Sequence, residues 1–99
     1  MTTWMSYRRP GAIGMTRVRM TRGRRRILLA LLTGAANLHG WRLCEAAQVW
    51  SGTLYPFLGH LERAGWVTGE FRDVGERELR CYTLTDAGRW EASHALRLR

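Results

Sequence analysis

One segment near the middle of the chain places the tightest constraint on the fold, because leucines recur in it at the spacing of an α-helix. Leu54, Leu58 and Leu61 lie at positions i, i+4 and i+7, so their side chains form one apolar stripe. Ser51 suits the N-cap of this helix, and Gly65 is its stop signal. A helix with one apolar stripe needs partners, so the flanking segments are expected to cover the three leucines.

Two further helical patterns precede this segment. The first covers about residues 22–32, and Gly34 ends it. The second covers about residues 40–48, with His39 predicted to hydrogen-bond the backbone where the two helices meet. The buried face of the second helix is predicted to consist of Leu43, Ala46 and Ala47.

The sequence after the leucine-rich helix changes to strand patterns. Strands are predicted at residues 66–72 and 79–84, with Gly75 available for a turn in the polar segment between them. Thr85 is the predicted N-cap of a last helix over about residues 87–98. The predicted fold class is therefore mainly α with a small β-hairpin, in the winged helix-turn-helix order of helix, helix, helix, hairpin and helix.

The positive charge is concentrated at the start of the chain. Residues 1–26 hold 8 of the 16 arginines and no acidic residue, whereas the arginines from Ile27 onward are balanced by the 8 acidic residues. The whole net charge of +8 therefore lies before Ile27. Such a stretch is typical of tails that neutralise phosphates or anionic surfaces, and a merely solubilising tail is the alternative. We assign residues 1–21 to an Arg-rich arm, disordered without a partner, and 22–99 to the domain. Met15 and Met20 are alternative start sites.

Several functional classes are disfavoured by the sequence. No stretch approaches the length of a membrane span, and the six-residue apolar run after the basic segment is short for a secretory signal. Cys44 and Cys81 form no CxxC motif, so reduced thiols are expected rather than a disulfide framework or zinc site. Phosphate-loop and metalloprotease motifs are absent. We expect a cytoplasmic protein that is not an enzyme and has no cofactor, metal or membrane partner.

Four motifs in one order then carry a family resemblance. They are Leu38-His39-Gly40-Trp41, Ser51-Gly52-Thr53-Leu54-Tyr55-Pro56, Leu61-Glu62-Arg63-Ala64-Gly65-Trp66-Val67 and Cys81-Tyr82-Thr83-Leu84-Thr85-Asp86-Ala87-Gly88. Together they resemble the PadR-like family of bacterial transcriptional regulators. The resemblance implies a dimeric repressor whose third helix enters the major groove, while the hairpin wing contacts adjacent backbone or the minor groove. The family usually has tyrosine where this chain has Trp41, and the arginine arm is not part of its pattern.

Candidate DNA contacts follow from the predicted helix faces and the charge. The face of the third helix opposite the leucines presents Thr53, Phe57, His60 and Arg63, and it is otherwise an ordinary solvated face. Ser51 and Tyr55 lie at the helix start, where a phosphate is favoured, although Tyr55 packing beside Leu54 is an equal alternative. The remaining candidates are Arg72, Arg77 and Arg80 on the wing and Arg22, Arg24 and Arg25 near the arm.

The predicted partner is double-stranded DNA, bound by a homodimer paired through the first and last helices. A small apolar effector at the dimer interface is a further possibility implied by the family resemblance. Two alternatives stay open at this point. One is a winged-helix adaptor for protein interactions, and the other is a nonspecific nucleic-acid or membrane-surface binder driven by the arm.

Overall fold

The computed structural model describes residues 19–34 and 38–97. The elements in these ranges are α1 (Arg22–Thr33), β1 (Leu38–His39), α2 (Gly40–Ala47), α3 (Ser51–Arg63), β2 (Val67–Val74), β3 (Arg77–Leu84) and α4 (Asp86–Ala95). This order confirms the predicted winged helix-turn-helix, with one short strand added before α2. The predicted arm falls largely on residues 1–18, which lie outside the described residues.

The leucine stripe of α3 is the centre of the core, as predicted. Leu54, Leu58 and Leu61 are all buried, and residues from every other helix and the base of the hairpin pack with them. Burying a leucine side chain contributes about 1.5–3 kcal/mol, so this stripe is a main source of stability. The partners that cover it include Ile27, Leu28, Leu43, Trp66, Val67, Leu84 and Ala92.

The start of α3 differs from the prediction. Trp50, not Ser51, is the N-cap residue, and it makes no side-chain cap hydrogen bond. The carbonyl of Trp50 instead accepts the amides of Thr53 at 2.9 Å and Leu54 at 3.0 Å. Ser51 is therefore the first residue of the helix, because the backbone turn is closed one residue earlier than the side-chain pattern indicated.

The helix α2 has a narrower buried face than predicted. Leu43 and Ala47 are buried, but Ala46 is exposed, so its assignment to the core was wrong. The helix is only 8 residues long, and few turns face the core. His39 is its N-cap and accepts the amide of Arg42 through Nδ1 at 3.3 Å, which confirms the predicted backbone bond.

The strand β1 was not predicted from the sequence. It has two residues and pairs antiparallel with β3, Leu38 opposite Tyr82 and His39 opposite Cys81. The resulting sheet has the order β1-β3-β2. Two residues cannot show a period, so a strand of this length leaves no pattern in the sequence.

The hairpin is longer than predicted. β2 and β3 each have 8 residues and pair from Val67 opposite Leu84 to Val74 opposite Arg77. Most of the polar segment between the predicted strands is therefore strand, and the turn is confined to Gly75, at φ +68°, and Glu76. Side chains near the tip are exposed on both faces, so they show no alternation of apolar and polar residues.

The last helix is anchored at its start by Thr85, as predicted. Its hydroxyl accepts the amide of Gly88 at 2.8 Å and lies 2.7 Å from the carbonyl oxygen of Gly65, to which it donates. α4 ends at Ala95 rather than near residue 98, with buried Leu96 as its C-cap. Thr85 thus joins the helix to the turn that follows α3.

Candidate nucleic-acid interface

The amino-terminal ends of α1 and α3 lie side by side. A Cβ atom built on Gly23 would lie 3.4 Å from Cγ1 of Val49 and 3.5 Å from Cγ2 of Thr53. α1 contains four arginines and no acidic residue, and Arg22 and Arg25 are exposed. Both helix ends also carry the positive pole of a helix dipole. The basic end of α1 and the start of α3 therefore form one electropositive surface.

Phe57 and Arg24 pack on each other at this junction. The Arg24 guanidinium carbon lies 4.8 Å from the centre of the Phe57 ring, and Nη1 of Arg24 donates to the carbonyl of Arg19 at 2.9 Å. Phe57 is only 1% exposed. The prediction that Phe57 belongs to the exposed face of α3 was therefore wrong. The leucine stripe marks one buried side of α3, and α1 buries Phe57 on another side.

The exposed face of α3 is formed by fewer residues than predicted. Ser51, Thr53, His60 and Arg63 are exposed, so these four stay available for contact with a partner. Thr53 and His60 are seven residues apart, which is about 10 Å along a helix. The Arg63 side chain folds back along the helix, since its Nη1 would lie 3.5 Å from a Cβ built on Gly59.

Tyr55 lies at the junction of α2 and α3. Its ring and hydroxyl occupy the space that a Cβ atom on Gly40 would need, and 47% of the residue is exposed. Burial raises the pKa of the Tyr82 hydroxyl on β3, an effect that Arg80 partly offsets. Tyr55 therefore packs between elements and also presents an exposed edge near the start of α3.

The wing arginines are in different situations. Arg77 is exposed beside the turn, and Nη2 of Arg72 pairs with Oε1 of Glu70 at 2.9 Å. Arg80 was predicted as a phosphate contact, but its Nη2 pairs with Oε2 of Glu62 on α3 at 2.6 Å. The hydrogen bond to Glu62 raises the pKa of Arg80 above its ordinary value. Two of the three wing arginines are thus paired with glutamates.

Two further contacts lie at the two ends of α2. Nε of Arg26 donates to the carbonyl of Ala47 at 2.7 Å and so caps the end of α2 from α1. The exposed indole of Trp41 stacks on His39, with ring centres 5.4 Å apart. The first contact joins residues 21 positions apart and the second joins residues two positions apart, so neither produces a periodic pattern in the sequence.

The cysteines and histidines within the described ranges form no metal centre, and no group of three or more metal-ligating side chains occurs there. Cys44 and Cys81 are free thiols, and burial raises the pKa of Cys44. None of the described helices is long and apolar enough to cross a membrane.

The sequence from the middle of α1 to α4 matches a known family. Residues 28–94 match the sequence model of the transcriptional regulator PadR-like family, a span that includes α2, α3 and the whole hairpin. The chain belongs to this family. No protein of curated function matches this PadR-like chain.

Solved structures show the same fold. Smu.1704 of Streptococcus mutans UA159 is 20% identical, with a TM-score of 0.67 over 82% of this chain and 80% of that one. The transcriptional repressor CouR, bound to a 23-mer DNA duplex, is 18% identical, with a TM-score of 0.65 over 94% and 61% of the two chains. Reduced AbfR bound to DNA is 24% identical, with a TM-score of 0.64 over 94% and 67%. The PadR-like chain thus spans between 61% and 80% of the lengths of these proteins.

Proposed function

We propose that this PadR-like regulator is a dimeric repressor that binds double-stranded DNA sequence-specifically. In this proposal α3 lies in the major groove, and the hairpin and the arginine arm lie along the backbone. The observation that carries the proposal is the junction of α1 and α3, where the arginine-rich first turn of α1 packs beside the exposed start of α3. The solved structures of CouR and AbfR on DNA support it through their similar fold.

Base contacts are assigned to the exposed positions of α3. Thr53 contacts a base edge or a thymine methyl group, and His60 donates to a base or a phosphate. Ser51 and the free amides of the helix start bind a phosphate, which the helix dipole favours. Tyr55 is assigned to the same phosphate site through the exposed part of its side chain.

Backbone contacts are assigned to arginines around α3. Arg22 and Arg25 of α1 are exposed and are assigned to phosphates at the edge of the groove that they line with Leu29 and Leu96. Arg63 and Arg77 are assigned to phosphates near the end of α3 and at the wing tip. Further backbone contacts are assigned to the arginines of residues 1–21 and to Arg72, whose ion pair with Glu70 has first to break. If about five arginines at the start of the chain neutralise phosphates, log K falls with log salt with a slope of about 4–5 from this region alone.

The dimer is assigned to α1 and α4. Leu29 on α1 is 44% exposed beside buried Leu96, in a groove that arginines of α1 flank. Trp90 on α4 is 56% exposed and stacks on His94 with ring centres 3.7 Å apart. A second copy is assigned to cover Leu29 and Trp90, and the two α3 helices of such a dimer are expected to meet half-sites about one helical turn apart. The same groove offers an apolar floor for a small effector.

Selection of binding sites from random duplex DNA tests the proposed function. The full chain is expected to enrich a palindromic sequence, and the double variant Thr53→Ala/His60→Ala is expected to lose that preference while it keeps its fold. Thr68→Ala is a matched control on an exposed position of β2. A chain that enriches no sequence, with binding insensitive to salt, contradicts the proposal and favours an adaptor for proteins.

A further inference from the structure

An ion pair joins the end of α3 to the middle of the hairpin. Nη2 of Arg80 on β3 lies 2.6 Å from Oε2 of Glu62 on α3, and the two side chains are 38% and 29% exposed. The pair between Arg72 and Glu70 is different, because it joins neighbours on β2 and its side chains are 47% and 63% exposed. The Arg80 pair therefore links two elements, whereas the Arg72 pair stays within one strand.

The path of the Arg80 side chain is built into the hairpin. It crosses β2 at Gly69, where a Cβ atom would lie 2.8 Å from the Arg80 guanidinium group. The guanidinium carbon lies 5.3 Å from the centre of the Phe71 ring and 5.8 Å from that of Tyr82. The Arg80 guanidinium is therefore held by Glu62 and lies beside two rings and the β2 backbone, while 38% of its side chain stays exposed.

The inner half of the hairpin is fixed by the pairing of β1 with β3 and by buried Tyr82 and Leu84, whereas its outer half has few such contacts. Val67 at its base is buried, but the residues of β2 from Phe71 to Val74 are all exposed. A two-stranded hairpin is only marginally stable alone, so its orientation depends on what ties it to the domain. The Arg80–Glu62 pair supplies such a tie beyond the buried base of the strands.

We propose that the Arg80–Glu62 pair is a clamp that sets the position of the hairpin against α3, and that Arg80 is a positioning residue of the DNA interface rather than a phosphate contact. The inference rests on the proposed function in one respect, since a fixed wing matters for affinity only when α3 and the hairpin engage the same duplex. The clamp itself is a property of the free protein.

The first experiment measures the affinity of the full chain for its selected duplex over a range of salt concentrations. Glu62→Gln and Arg80→Gln are each expected to weaken binding by a similar factor, about two- to fivefold. The slope of log K against log salt in Arg80→Gln is expected to equal that of the wild type. Glu70→Gln is the matched control, since it makes the same charge change at a pair that does not bridge two elements. It is expected to bind at least as tightly as the wild type, because it frees Arg72 from its ion pair.

A charge swap separates positioning from direct contact. The variant Glu62→Arg/Arg80→Glu keeps the net charge and the ion pair, so it is expected to bind within about twofold of the wild type. A direct phosphate contact predicts instead a slope lower by about 0.9 in Arg80→Gln and no recovery in the swap, because a glutamate then faces the phosphate. That result overturns the proposal, as does tighter binding by Glu62→Gln than by Glu70→Gln.

The second experiment uses the free protein and needs no DNA. Residual dipolar couplings of α3 and the hairpin are expected to fit one common orientation in the wild type and in Glu70→Gln. In Glu62→Gln the couplings of the hairpin are expected to fit only with a separate alignment tensor or with a lower order parameter than those of α3. One common orientation in Glu62→Gln overturns the clamp. If the wild type selects no duplex, the proposed function is overturned instead. The measurement on the free protein still tests the clamp, because it requires no DNA.

Discussion

Replacing Phe57 distinguishes a core residue from a DNA contact. Phe57 is 1% exposed and packs under the Arg24 guanidinium group, so Phe57→Ala removes a buried ring and leaves a cavity. Such a change costs about 3–5 kcal/mol, a large share of the total stability of a small domain. For a domain of this size each kcal/mol lowers Tm by about 4–8 °C, so a fall of at least ~12 °C is expected.

Thermal unfolding followed by circular dichroism measures this change. Phe57→Leu fills most of the space and is expected to keep both the fold and the affinity for the selected duplex. Thr53→Ala is the opposite control, with a small effect on Tm and a loss of affinity. If Phe57→Ala unfolds like the wild type but loses DNA affinity, Phe57 is an exposed base contact and the packing described for α1 on α3 is refuted.

Three further predictions concern local features of the fold. Gly40→Ala is expected to destabilise the protein by about 1–3 kcal/mol in chemical unfolding, because its Cβ meets the Tyr55 ring, and an equal cost in the Tyr55→Ala background would contradict this cause. Thr85→Ala is expected to cost about 1 kcal/mol through loss of the α4 cap, while Thr85→Ser keeps the hydroxyl and most of the stability; equal loss in both would contradict the cap. Burial raises the pKa of Tyr82 above its usual 10.0, so the contribution of its protonated hydroxyl to stability is full below about pH 10 and is lost as pH rises through the folded-state pKa. Tyr82→Phe is expected to reduce the loss of unfolding free energy at alkaline pH. An unchanged loss in this variant would contradict the prediction.

The elements that the sequence predicted well are those whose residues repeat at a fixed spacing. Leu54, Leu58 and Leu61 lie on one face of a helix, and their burial follows because an apolar stripe is stable only when another element covers it. The cap at Thr85 was equally readable, since its hydroxyl acts on an amide three residues away. Local spacing carries this information without any knowledge of the tertiary fold.

The features that escaped prediction depend on contacts between distant residues. Phe57 lies opposite the leucine stripe, and only the position of α1 decides that its ring is covered. Glu62 and Arg80 are 18 residues apart, so nothing in either local pattern pairs them. The charge pattern shows acidic residues beside the wing arginines, but it does not show that the partner of Arg80 lies on α3.

The most direct test of the account compares site selection by the full chain and by a version that starts at Met20. The shorter version keeps α1 to α4 and loses four arginines, Arg8, Arg9, Arg17 and Arg19. Both versions are expected to enrich the same palindromic sequence, and the shorter one to bind it more weakly, with a salt slope lower by up to about 3.6. Loss of all sequence preference in the shorter version, with only nonspecific binding in the full chain, would contradict the assignment of sequence recognition to α3.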